Sequence, residues 1–509
     1  MTLPDLKEPP LGLAAHINSL LRVDAMAPAI EFEGEWIPWG SLLALREDLD
    51  LALIEAGAGP GASVGVILRN RPQHVAAVLA LLATDRCVVT MNAVQGDDRL
   101  AGELAELRLP AVIADVEDWA RPGVAQAAAI AGSTALHMAG PTPNLTDVRP
   151  GTGGSAPDRP GVAFELLTSG TTGPPKRVDL LYRSLEMALI SAKEYETSSR
   201  SPASGVLRES VAVIHSPLVH VSGIWHLLQA VGAGRRMALA ERFTVETWRG
   251  MVVRHRPTSS SLVPSAMRMV LDADVPADDL RSLRAVVAGT APLDPALAEE
   301  FEDRYGIPVL VVYGATEFAG GVAGWTLKDR LAHREDKRGS VGRANAGVTL
   351  RVVDESGREL PLGKQGVLEV RSAQLETDRW VRTTDLASLD EDGFLFIHGR
   401  TDDVIIRGGF KVHPAAVEAA LEQHPAVAVA CVVGLPDRRL GAVPVAAVEL
   451  VVGAETNPEE LREHAAGLLV GYQVPDRVII VPVLPRTPSM KPSRHETRRL
   501  LAGPNKEMP

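Results

Sequence analysis

The chain has 509 residues, more than one hydrophobic core usually organises, so we expect two or more domains. Acidic residues outnumber basic residues by 64 to 52, and no long cluster of Lys or Arg is present, which argues against nucleic acid or an anionic membrane as the main partner. Apolar runs such as residues 75–83 fall far short of the ~20 residues that a membrane helix needs, so they predict core helices.

The N-terminus and the cysteines indicate where such a protein works. Residues 1–8 lack a basic stretch followed by an apolar one, so they show no secretory signal, and a cytoplasmic enzyme is the default expectation. Cys87 and Cys431 are far apart and have no Cys or His neighbour at metal-binding spacing. We interpret both as buried thiols.

The first predicted elements lie between residues 60 and 135. Short β-like runs at Ser63–Leu68 and Cys87–Thr90 alternate there with helical patterns rich in Ala and Leu, which is typical of an α/β fold. Residues 141–160 are dense in Pro, Gly, Thr and Asp and poor in apolar residues. This composition predicts a loop.

That loop leads to a segment suited to gripping phosphate, which contains Thr168, Ser169, Gly170, Thr171, Thr172, Gly173, Pro174, Pro175 and Lys176. Glycines let the backbone approach an anion, hydroxyl groups donate hydrogen bonds to phosphate oxygens, and a lysine supplies positive charge. The segment is not a Walker A loop, because two prolines block the helix that would have to follow directly. Its short apolar or alternating flanks predict a strand, loop, strand arrangement, and the simplest alternative is an ordinary surface turn.

The same alternation resumes near Val211 and continues through 283–289 and 309–314, and after about residue 340 it gives way to shorter, strand-rich sequence. From about residue 401 a helix at 414–423 and strands at 427–433 and 478–481 predict a compact α+β domain. The motif Tyr313–Glu317 follows a β-branched run, so its polar end should lie at the carboxyl end of a buried strand, where open α/β sheets bind ligands. Carboxylate and hydroxyl oxygens there suit magnesium beside phosphates.

Further motifs follow in a fixed order: residues 288–292, 380–385, 399–403, 407–414 and 485–494. Together with the phosphate segment and Tyr313–Glu317 they resemble the signature motifs of the adenylate-forming superfamily, which contains acyl-CoA synthetases, peptide-synthetase adenylation domains and luciferases. The resemblance implies a large N-terminal domain, residues 1–400, of stacked α/β subdomains with a β-rich subdomain. It also implies a small mobile α+β domain at residues 401–509.

The resemblance also implies site residues in the N-terminal domain. Thr316 would contact the α-phosphate of ATP and Glu317 would hold Mg²⁺. Asp385 can accept hydrogen bonds from both ribose hydroxyls, and Arg400 can donate to the sugar or to phosphate. The remaining nucleotide-framing residues are Gly289, Thr290, Ala291, Tyr313, Gly314 and Ala315.

In the C-terminal domain, Asp402 matches the hinge about which the family's small domain swivels. Gly408 and Gly409 match the segment that lets the pantetheine arm of CoA pass. Lys491 matches the lysine that assists adenylation. Three positions depart from the glycines usual in the family: Arg177, Thr384 and Met490. They put reaction rates and loop flexibility in doubt more than the reaction itself.

The implied reaction is an ATP-dependent carboxylic acid:CoA ligation in two steps. The substrate carboxylate attacks ATP to give an acyl-adenylate and pyrophosphate, and a thiol then displaces AMP. His220 stands where acyl- and aryl-CoA ligases often carry a gating His or aromatic residue, and the alternative is a hydrogen-bonded core histidine. His215, His220 and His226 are not at zinc spacing.

Peptide-synthetase domains usually place an Asp at the position of His220, so its absence disfavours an amino-acid substrate. We expect an apolar fatty, alicyclic or aromatic acid, with ATP, Mg²⁺ and CoA. Three alternatives stay open: transfer to a carrier-protein thiol, a luciferase-like oxygenase, and a nucleotide-binding protein without catalysis. The sequence does not determine the oligomeric state, and a homodimer is compatible with it.

Overall fold

The computed structural model describes residues 12–168, 176–192, 206–375, 379–401, 403–487 and 491–502. It has a large N-terminal domain and a small C-terminal domain, each of mixed α/β composition. The helices of the described residues are α1 (Leu13–Leu21), α2 (Trp39–Glu55), α3 (Pro72–Leu82), α4 (Asp97–Leu107), α5 (Val116–Trp119), α6 (Val124–Ala131), α7 (Tyr182–Ala192), α8 (Val221–Gly232), α9 (Val245–His255), α10 (Pro264–Asp272), α11 (Ala277–Leu280), α12 (Pro295–Tyr305), α13 (Leu327–His333), α14 (Pro414–Glu422), α15 (Pro458–Leu468) and α16 (Arg494–Ala502).

The large domain contains four of the sheets formed by the described residues, and their strands, numbered in chain order, are β1 (Pro28–Phe32), β2 (Glu35–Pro38), β3 (Ser63–Leu68), β4 (Cys87–Asn92), β5 (Ala111–Asp115), β6 (Thr134–Ala139), β7 (Asn144–Arg149), β8 (Val162–Thr168), β9 (Lys176–Leu181), β10 (Arg208–Ile214), β11 (Arg235–Leu239), β12 (Ser259–Ser261), β13 (Ala285–Ala288), β14 (Val309–Ala315), β15 (Gly320–Gly324), β16 (Arg343–Ala344), β17 (Val348–Val353), β18 (Gly366–Ser372), β19 (Val381–Leu389) and β20 (Leu395–Arg400).

A seven-stranded sheet is the largest of these, in the order β7-β6-β5-β3-β4-β8-β9. Its central strands are parallel and every residue of β3 and β5 is buried, as expected for strands covered by helices on both faces. One covering helix, α3, is itself buried along its whole length. The predicted α/β alternation over residues 60–135 and the predicted core helix at 75–83 are therefore confirmed.

The prediction of a loop across residues 141–160 is wrong in part, because β7 lies within it. This strand pairs antiparallel with β6 at the edge of the sheet, and it exposes much of its polar sequence Asn-Leu-Thr-Asp-Val-Arg. An edge strand needs only one paired side and little apolar surface, so its composition resembles that of a loop. The remaining residues of this range, 141–143 and 150–160, contain no strand or helix.

Strands of two further sheets border the candidate active site. One has the order β10-β11-β1-β2, and the other has the order β12-β13-β14-β15-β16 with β12 to β14 parallel. The strands β17 to β20 form an antiparallel sheet, as the change to strand-rich sequence after residue 340 predicted.

The small domain is built on a mixed sheet with strands β21 (Ile405–Arg407), β22 (Phe410–Val412), β23 (Val427–Asp437), β24 (Gly441–Leu450) and β25 (Arg477–Val481). Helix α14 ends one residue before its predicted end, and β23 extends beyond its predicted range, to Asp437. These elements confirm the compact α+β fold expected after residue 401.

Both cysteines are buried, as predicted. Burial is the largest effect on each thiol, and it raises the pKa of Cys87 to about 12 and that of Cys431 to about 11. Both thiols therefore stay protonated at neutral pH, as expected for inert core residues. Among the described helices, none combines the length and the apolar character needed to cross a membrane.

A buried ionic cluster fixes the strand that carries the central motif. The Glu302 side chain on α12 is 5% exposed, accepts a hydrogen bond from the backbone N–H of Val309 at 2.7 Å, and forms a bidentate pair with Arg330 at 2.8 and 2.9 Å. Arg334 adds a second cation at 2.9 Å. Because Val309 begins β14, this carboxylate joins α12, α13 and the start of that strand.

We predict that Glu302→Ala lowers the apparent free energy of unfolding of the large domain by about 3–5 kcal/mol, because Arg330 would stay buried without its counter-charge. Urea denaturation followed by tryptophan fluorescence measures this change. The control is Glu299→Ala, on the same helix as Glu302. It removes a solvent-accessible ion pair with Arg338, which lies outside that helix, and should cost about 0–1 kcal/mol. Equal effects of the two substitutions would contradict the prediction.

Candidate active site

The predicted site residues converge on one cavity of about 3090 Å³ that opens at the carboxyl ends of β13 and β14. Both domains contribute to its wall. The predicted residues that line it are His220, Gly289, Thr290, Ala291, Tyr313, Gly314, Ala315, Thr316, Glu317, Asp385, Arg400 and Lys491. This position agrees with the rule that open α/β sheets bind ligands beyond the carboxyl ends of their strands.

The end of β14 is held in an unusually close turn. Pairing with β15 shifts register between Tyr313 and Gly314, and a short 3₁₀ turn, Thr316–Phe318, follows at once. A Cβ atom on Gly314 would lie 2.2 Å from the carbonyl oxygen of Gly320, so only glycine fits there. The close approach presents Thr316 and Glu317 at the cavity edge.

Tyr313 and Asp385, which the resemblance assigns to framing the nucleotide and to binding the ribose, are joined directly. The Tyr313 hydroxyl donates a hydrogen bond to Oδ2 of Asp385 at 2.5 Å. Asp385 on β19 lies opposite Arg400 on β20. Burial, followed by the charge of Asp385, raises the pKa of Tyr313 above its usual value, so this phenol remains a neutral donor.

A tight loop after β13 forms the next part of the wall. Thr290 has a left-handed backbone, with φ of 68°, which is uncommon outside glycine. A Cβ atom on Gly289 would lie 3.2 Å from the carbonyl oxygen of Val312, so this loop packs closely over β14. Gly289 and Ala291 thus bring backbone, with little side-chain bulk, to the cavity.

Lys491 reaches the cavity from the C-terminal domain. Its loop is closed by hydrogen bonds from Thr487 N–H to the Lys491 carbonyl at 2.7 Å and from Ser493 N–H to the Pro485 carbonyl at 2.7 Å. Burial, followed by the positive charge of Arg400, lowers the pKa of the Lys491 ammonium group. The small domain is therefore oriented with Lys491 toward the part of the large domain that carries Arg400.

Arg494 is a site-supporting residue whose role the sequence did not reveal. It begins α16 directly after the lysine loop and contacts both carboxylate oxygens of Glu418 at 2.8 and 2.6 Å, and Asp403 at 3.2 Å. Burial raises the pKa of Glu418, and the charge of Arg494 opposes this shift. The cluster ties the lysine loop to α14 and to the residue after Asp402.

Asn70 is a second supporting residue that the sequence did not reveal. Its buried amide donates to the carbonyl groups of Ser216 and Ala240 at 2.9 and 3.2 Å, and its oxygen accepts from the N–H of Leu218 at 2.8 Å. These bonds shape the turn before His220, which is the N-cap residue of α8. No sequence signal pointed to Asn70, because its partners lie more than 140 residues away.

Some of the residues that the sequence singles out are not among those that the structure describes. Ser169, Gly170, Thr171, Thr172, Asp402 and Met490 lie outside the described residues. The two predicted strands on either side of this segment are confirmed, since β8 ends at Thr168 and pairs through it with Lys176 at the start of β9. The exposed Lys176 and β9 lie beside the turn that carries Thr316.

Arg177, one of the departures from the usual glycines, forms ion pairs with Glu103 and with Glu165, the latter at 3.3 Å. These ion pairs hold the start of β9 against α4 and β8. Thr384 accepts a hydrogen bond at its carbonyl from Thr401 N–H at 2.7 Å, an interaction that any residue could make.

Gly408 and Gly409 form the tip of the hairpin between β21 and β22, both with left-handed φ angles of 57° and 88°. Among the described residues that line the large cavity, neither glycine is present. The aromatic rings of Phe410 and Tyr472 stack beside this tip, with centroids 4.8 Å apart. In this orientation of the small domain, the lysine loop and not the glycine hairpin faces the cavity.

Comparison with known proteins agrees with this geometry. The sequence model of the family described as AMP-binding enzyme matches residues 21–377, and that of the AMP-binding enzyme C-terminal domain matches residues 416–491. The chain therefore belongs to the family of AMP-binding enzymes, which is the adenylate-forming superfamily. It is an AMP-forming acid–thiol ligase of the acyl-CoA synthetase type, which joins an acid to a thiol with ATP through an adenylate.

Three relatives illustrate the range of this family. A fatty acid–[acyl-carrier-protein] ligase from Streptomyces coeruleorubidus is 32% identical over 67% of this chain and 67% of its own length. A feruloyl-CoA synthase from Amycolatopsis sp is 28% identical over 96% of this chain and 99% of its own. The solved structure of the amide bond synthetase McbA from Marinactinospora thermotolerans is 28% identical, covers 96% of this chain and 99% of its own, and has a TM-score of 0.77.

We predict that Gly314→Ala lowers the rate of pyrophosphate release by at least about tenfold. The added methyl group must push Gly320 or the β14 end aside, and displacements of about 1 Å at a reacting centre can cost ~100-fold. Steady-state pyrophosphate assays measure the effect. The control is Gly363→Ala. Gly363 has a left-handed backbone and a Cβ atom there would have no neighbour within 4 Å, so this substitution tests the effect of backbone strain without a steric clash. A fully active Gly314→Ala enzyme would contradict the prediction.

Arg494 borders the cavity, but its own bonds are with Glu418 and Asp403, so removing its side chain should act mainly on the position of Lys491. We predict that Arg494→Ala slows adenylation by about 10-fold or more while the Kd for ATP stays within about twofold, because the lysine loop loses its attachment to α14. Rapid-quench measurement of acyl-adenylate formation tests this. Arg499→Ala, which removes an exposed pair on the same helix, should leave the rate unchanged.

Proposed function

We propose that this chain is an ATP-dependent carboxylic acid:CoA ligase that acts on an apolar acid, either fatty, alicyclic or aromatic. The observation that carries the proposal is the meeting of Lys491 with Arg400, Asp385 and the Tyr313–Glu317 motif in one cavity. Cations and oxygen donors from two domains are the groups that an ATP phosphate chain and its ribose require.

In the first step a carboxylate oxygen of the acid forms a bond to the α-phosphorus of ATP, and the bond from that phosphorus to the bridging oxygen breaks. Pyrophosphate leaves with the electron pair. Lys491 and Thr316 stabilise the negative charge that develops on the α-phosphate, while Asp385 and Arg400 hold the ribose. The oxygen donors of Glu317 and Thr316 fit a magnesium ion that enters with ATP, which would neutralise charge on the phosphates.

In the second step a thiol sulfur attacks the acyl carbon, the bond from that carbon to the phosphate oxygen breaks, and AMP leaves. The thiol proton is lost to solvent. We assign this step to a second orientation, in which the small domain turns about Asp402, withdraws Lys491 and presents Gly408 and Gly409. The present arrangement supports this assignment, because the lysine faces the cavity while the glycine hairpin does not.

The proposed boundary between the fixed and the mobile part lies at residues 400 and 401, so the two units are 1–400 and 401–509. Arg400 ends the last strand of the large domain and β21 of the small domain begins at Ile405. An exposed contact between Lys411 and Glu355, 3.3 Å apart, bridges the two units. Exposed ion pairs contribute little, so this contact would break readily on rotation.

The apolar acid is inferred from the cavity wall near His220. Val219, Val221 and Trp225 line the cavity there, and no carboxylate stands at position 220 to pair with an amino group. The names of the relatives agree, since they include a fatty-acid ligase and a feruloyl-CoA synthase. We give His220 the role of a gate at the acyl pocket.

Transfer to a carrier-protein thiol is the second candidate, favoured by the 32% identity to the ligase from Streptomyces coeruleorubidus. The test measures pyrophosphate and AMP release with ATP and Mg²⁺ over a panel of fatty, aromatic and alicyclic acids. Each acid is run with CoA, with a carrier protein, with a simple amine and with no acceptor, and products are identified by mass. CoA thioester formation supports the proposal. Pyrophosphate release followed only by acylated carrier protein or by amide would replace it, and light emission would indicate an oxygenase.

Lys491→Ala separates the two half-reactions. We predict that it lowers the rate of acyl-adenylate formation by ~100–1000-fold, because a transition-state cation is lost, whereas thioester formation from supplied acyl-adenylate changes by less than about threefold. Lys364→Ala, which removes an exposed lysine of the large domain, is the control. An unchanged adenylation rate in Lys491→Ala would refute the role of this lysine.

A further inference from the structure

Helix α8 lines the acyl side of the cavity through two neighbouring rows of side chains. Val221, Trp225 and Gln229 form one row, and Ser222, His226 and Ala230 form the next. Residues four apart share a face of a helix. His226 lies six residues beyond His220, which is ~9 Å along the helix axis. The cavity wall thus continues well past the proposed gate.

Trp225 marks the side of this wall that is nearest to the nucleotide. A Cβ atom on Gly320 would lie 3.3 Å from the Trp225 ring, and Gly320 pairs with Ala315 just before Thr316. His226 belongs to the other row, on the side of β10, where the charge of His215 influences it. An acid whose carboxylate lies at Thr316 would therefore extend its remote end along α8 toward His226.

His226 is a neutral imidazole at physiological pH. Burial, followed by the charge of His215, lowers its pKa to about 4. Its Nδ1 atom is fully buried and has no hydrogen-bond partner within the described residues. A buried N–H without an acceptor is costly, so the proton is better placed on Nε2. In that tautomer the ring offers one N–H donor from a cavity-lining side chain.

The neighbouring polar groups have other bonds available. Nε2 of His215 already contacts the carbonyl oxygen of Ser261 at 2.7 Å. The Ser222 hydroxyl can donate a hydrogen bond to a nearby backbone carbonyl, as serine side chains in helices often do. The Nε2–H of His226 has no such partner in its own helix, so a ligand in the cavity is its natural acceptor.

We infer that the acid carries a hydrogen-bond acceptor oxygen at the end remote from its carboxylate, and that His226 binds this oxygen through Nε2–H. Hydroxy-, alkoxy- and oxo-substituted acids fit, and purely hydrocarbon acids fit less well. The inference deepens the proposed function and rests on it for the position of the carboxylate. A site built to donate a hydrogen bond rejects the analogue that lacks the acceptor.

The experiment compares acids of matched shape that differ in one remote oxygen: 4-methoxycinnamate with 4-ethylcinnamate, 4-coumarate with cinnamate, and an aliphatic keto acid with its hydrocarbon analogue. Wild type should prefer the oxygenated member of at least one pair by ~10–100-fold in kcat/KM. His226→Leu should reduce that ratio to within about threefold, mainly by raising KM for the oxygenated acid. His226→Gln, whose amide also donates, should retain part of the preference.

Ser222→Ala is the matched control, because it removes a polar group from the same row of α8 and should leave the ratio unchanged. Ratios near one in wild type for all pairs, or an unchanged ratio in His226→Leu, would overturn the inference. Should His226→Leu not fold, the wild-type ratios and His226→Gln decide. For acids that are not turned over, equilibrium binding gives the ratio of the two dissociation constants, and His226→Leu should bring that ratio close to one.

These outcomes are separate from those of the proposed function. Pyrophosphate release with any acid supports the ligase whatever the ratio, and a low ratio overturns only the role of His226. A ¹⁵N NMR comparison of wild type with His226→Leu adds an independent readout. The His226 signals should show an unprotonated Nδ1 and no titration between about pH 6 and 8, because the pKa lies near 4. Titration within that range would count against the neutral donor.

Discussion

Two positive charges from different domains line the same cavity, and their mutual repulsion would be relieved by an anion bound there. Lys491 is half-buried within electrostatic reach of Arg400, and desolvation followed by the charge of Arg400 lowers its pKa. Like charges in a partly buried site repel each other, and the phosphates of a bound nucleotide would offset this repulsion. The binding of ATP would thus hold the small domain in this orientation, and the departure of charge with pyrophosphate would loosen it.

Buried polar groups hold the surrounding elements where these charges need them. Glu302 joins the start of β14 to α12 and α13, Asn70 shapes the turn before His220, and Arg494 joins the lysine loop to α14. Each makes bonds that would be costly to leave unsatisfied. Their bonds are to protein groups, and they determine the geometry of residues that are predicted to contact the substrates.

Much of the fold was predictable, because strongly apolar strands and helices carry a clear pattern. The alternation from residue 60 to 135, the strands around the phosphate segment and the C-terminal α+β domain all agree with the structure. The edge strand β7 was missed because its half-exposed sequence has no apolar pattern. Arg177 was recognised as a departure from the usual glycine, but its ion pairs with Glu103 and Glu165 depend on tertiary contacts.

The sequence by itself determined the family, the order of the motifs and the identity of the chemical groups, because these depend on residue types at short spacings. Only the tertiary structure decided which groups meet and in which protonation state. Tyr313 and Asp385, 72 residues apart, share a hydrogen bond, and His226 becomes a neutral imidazole whose Nδ1 has no partner in the part of the chain that the structure describes. Both outcomes follow from burial and from contacts between distant segments, which shift proton affinities and leave no local trace in the sequence.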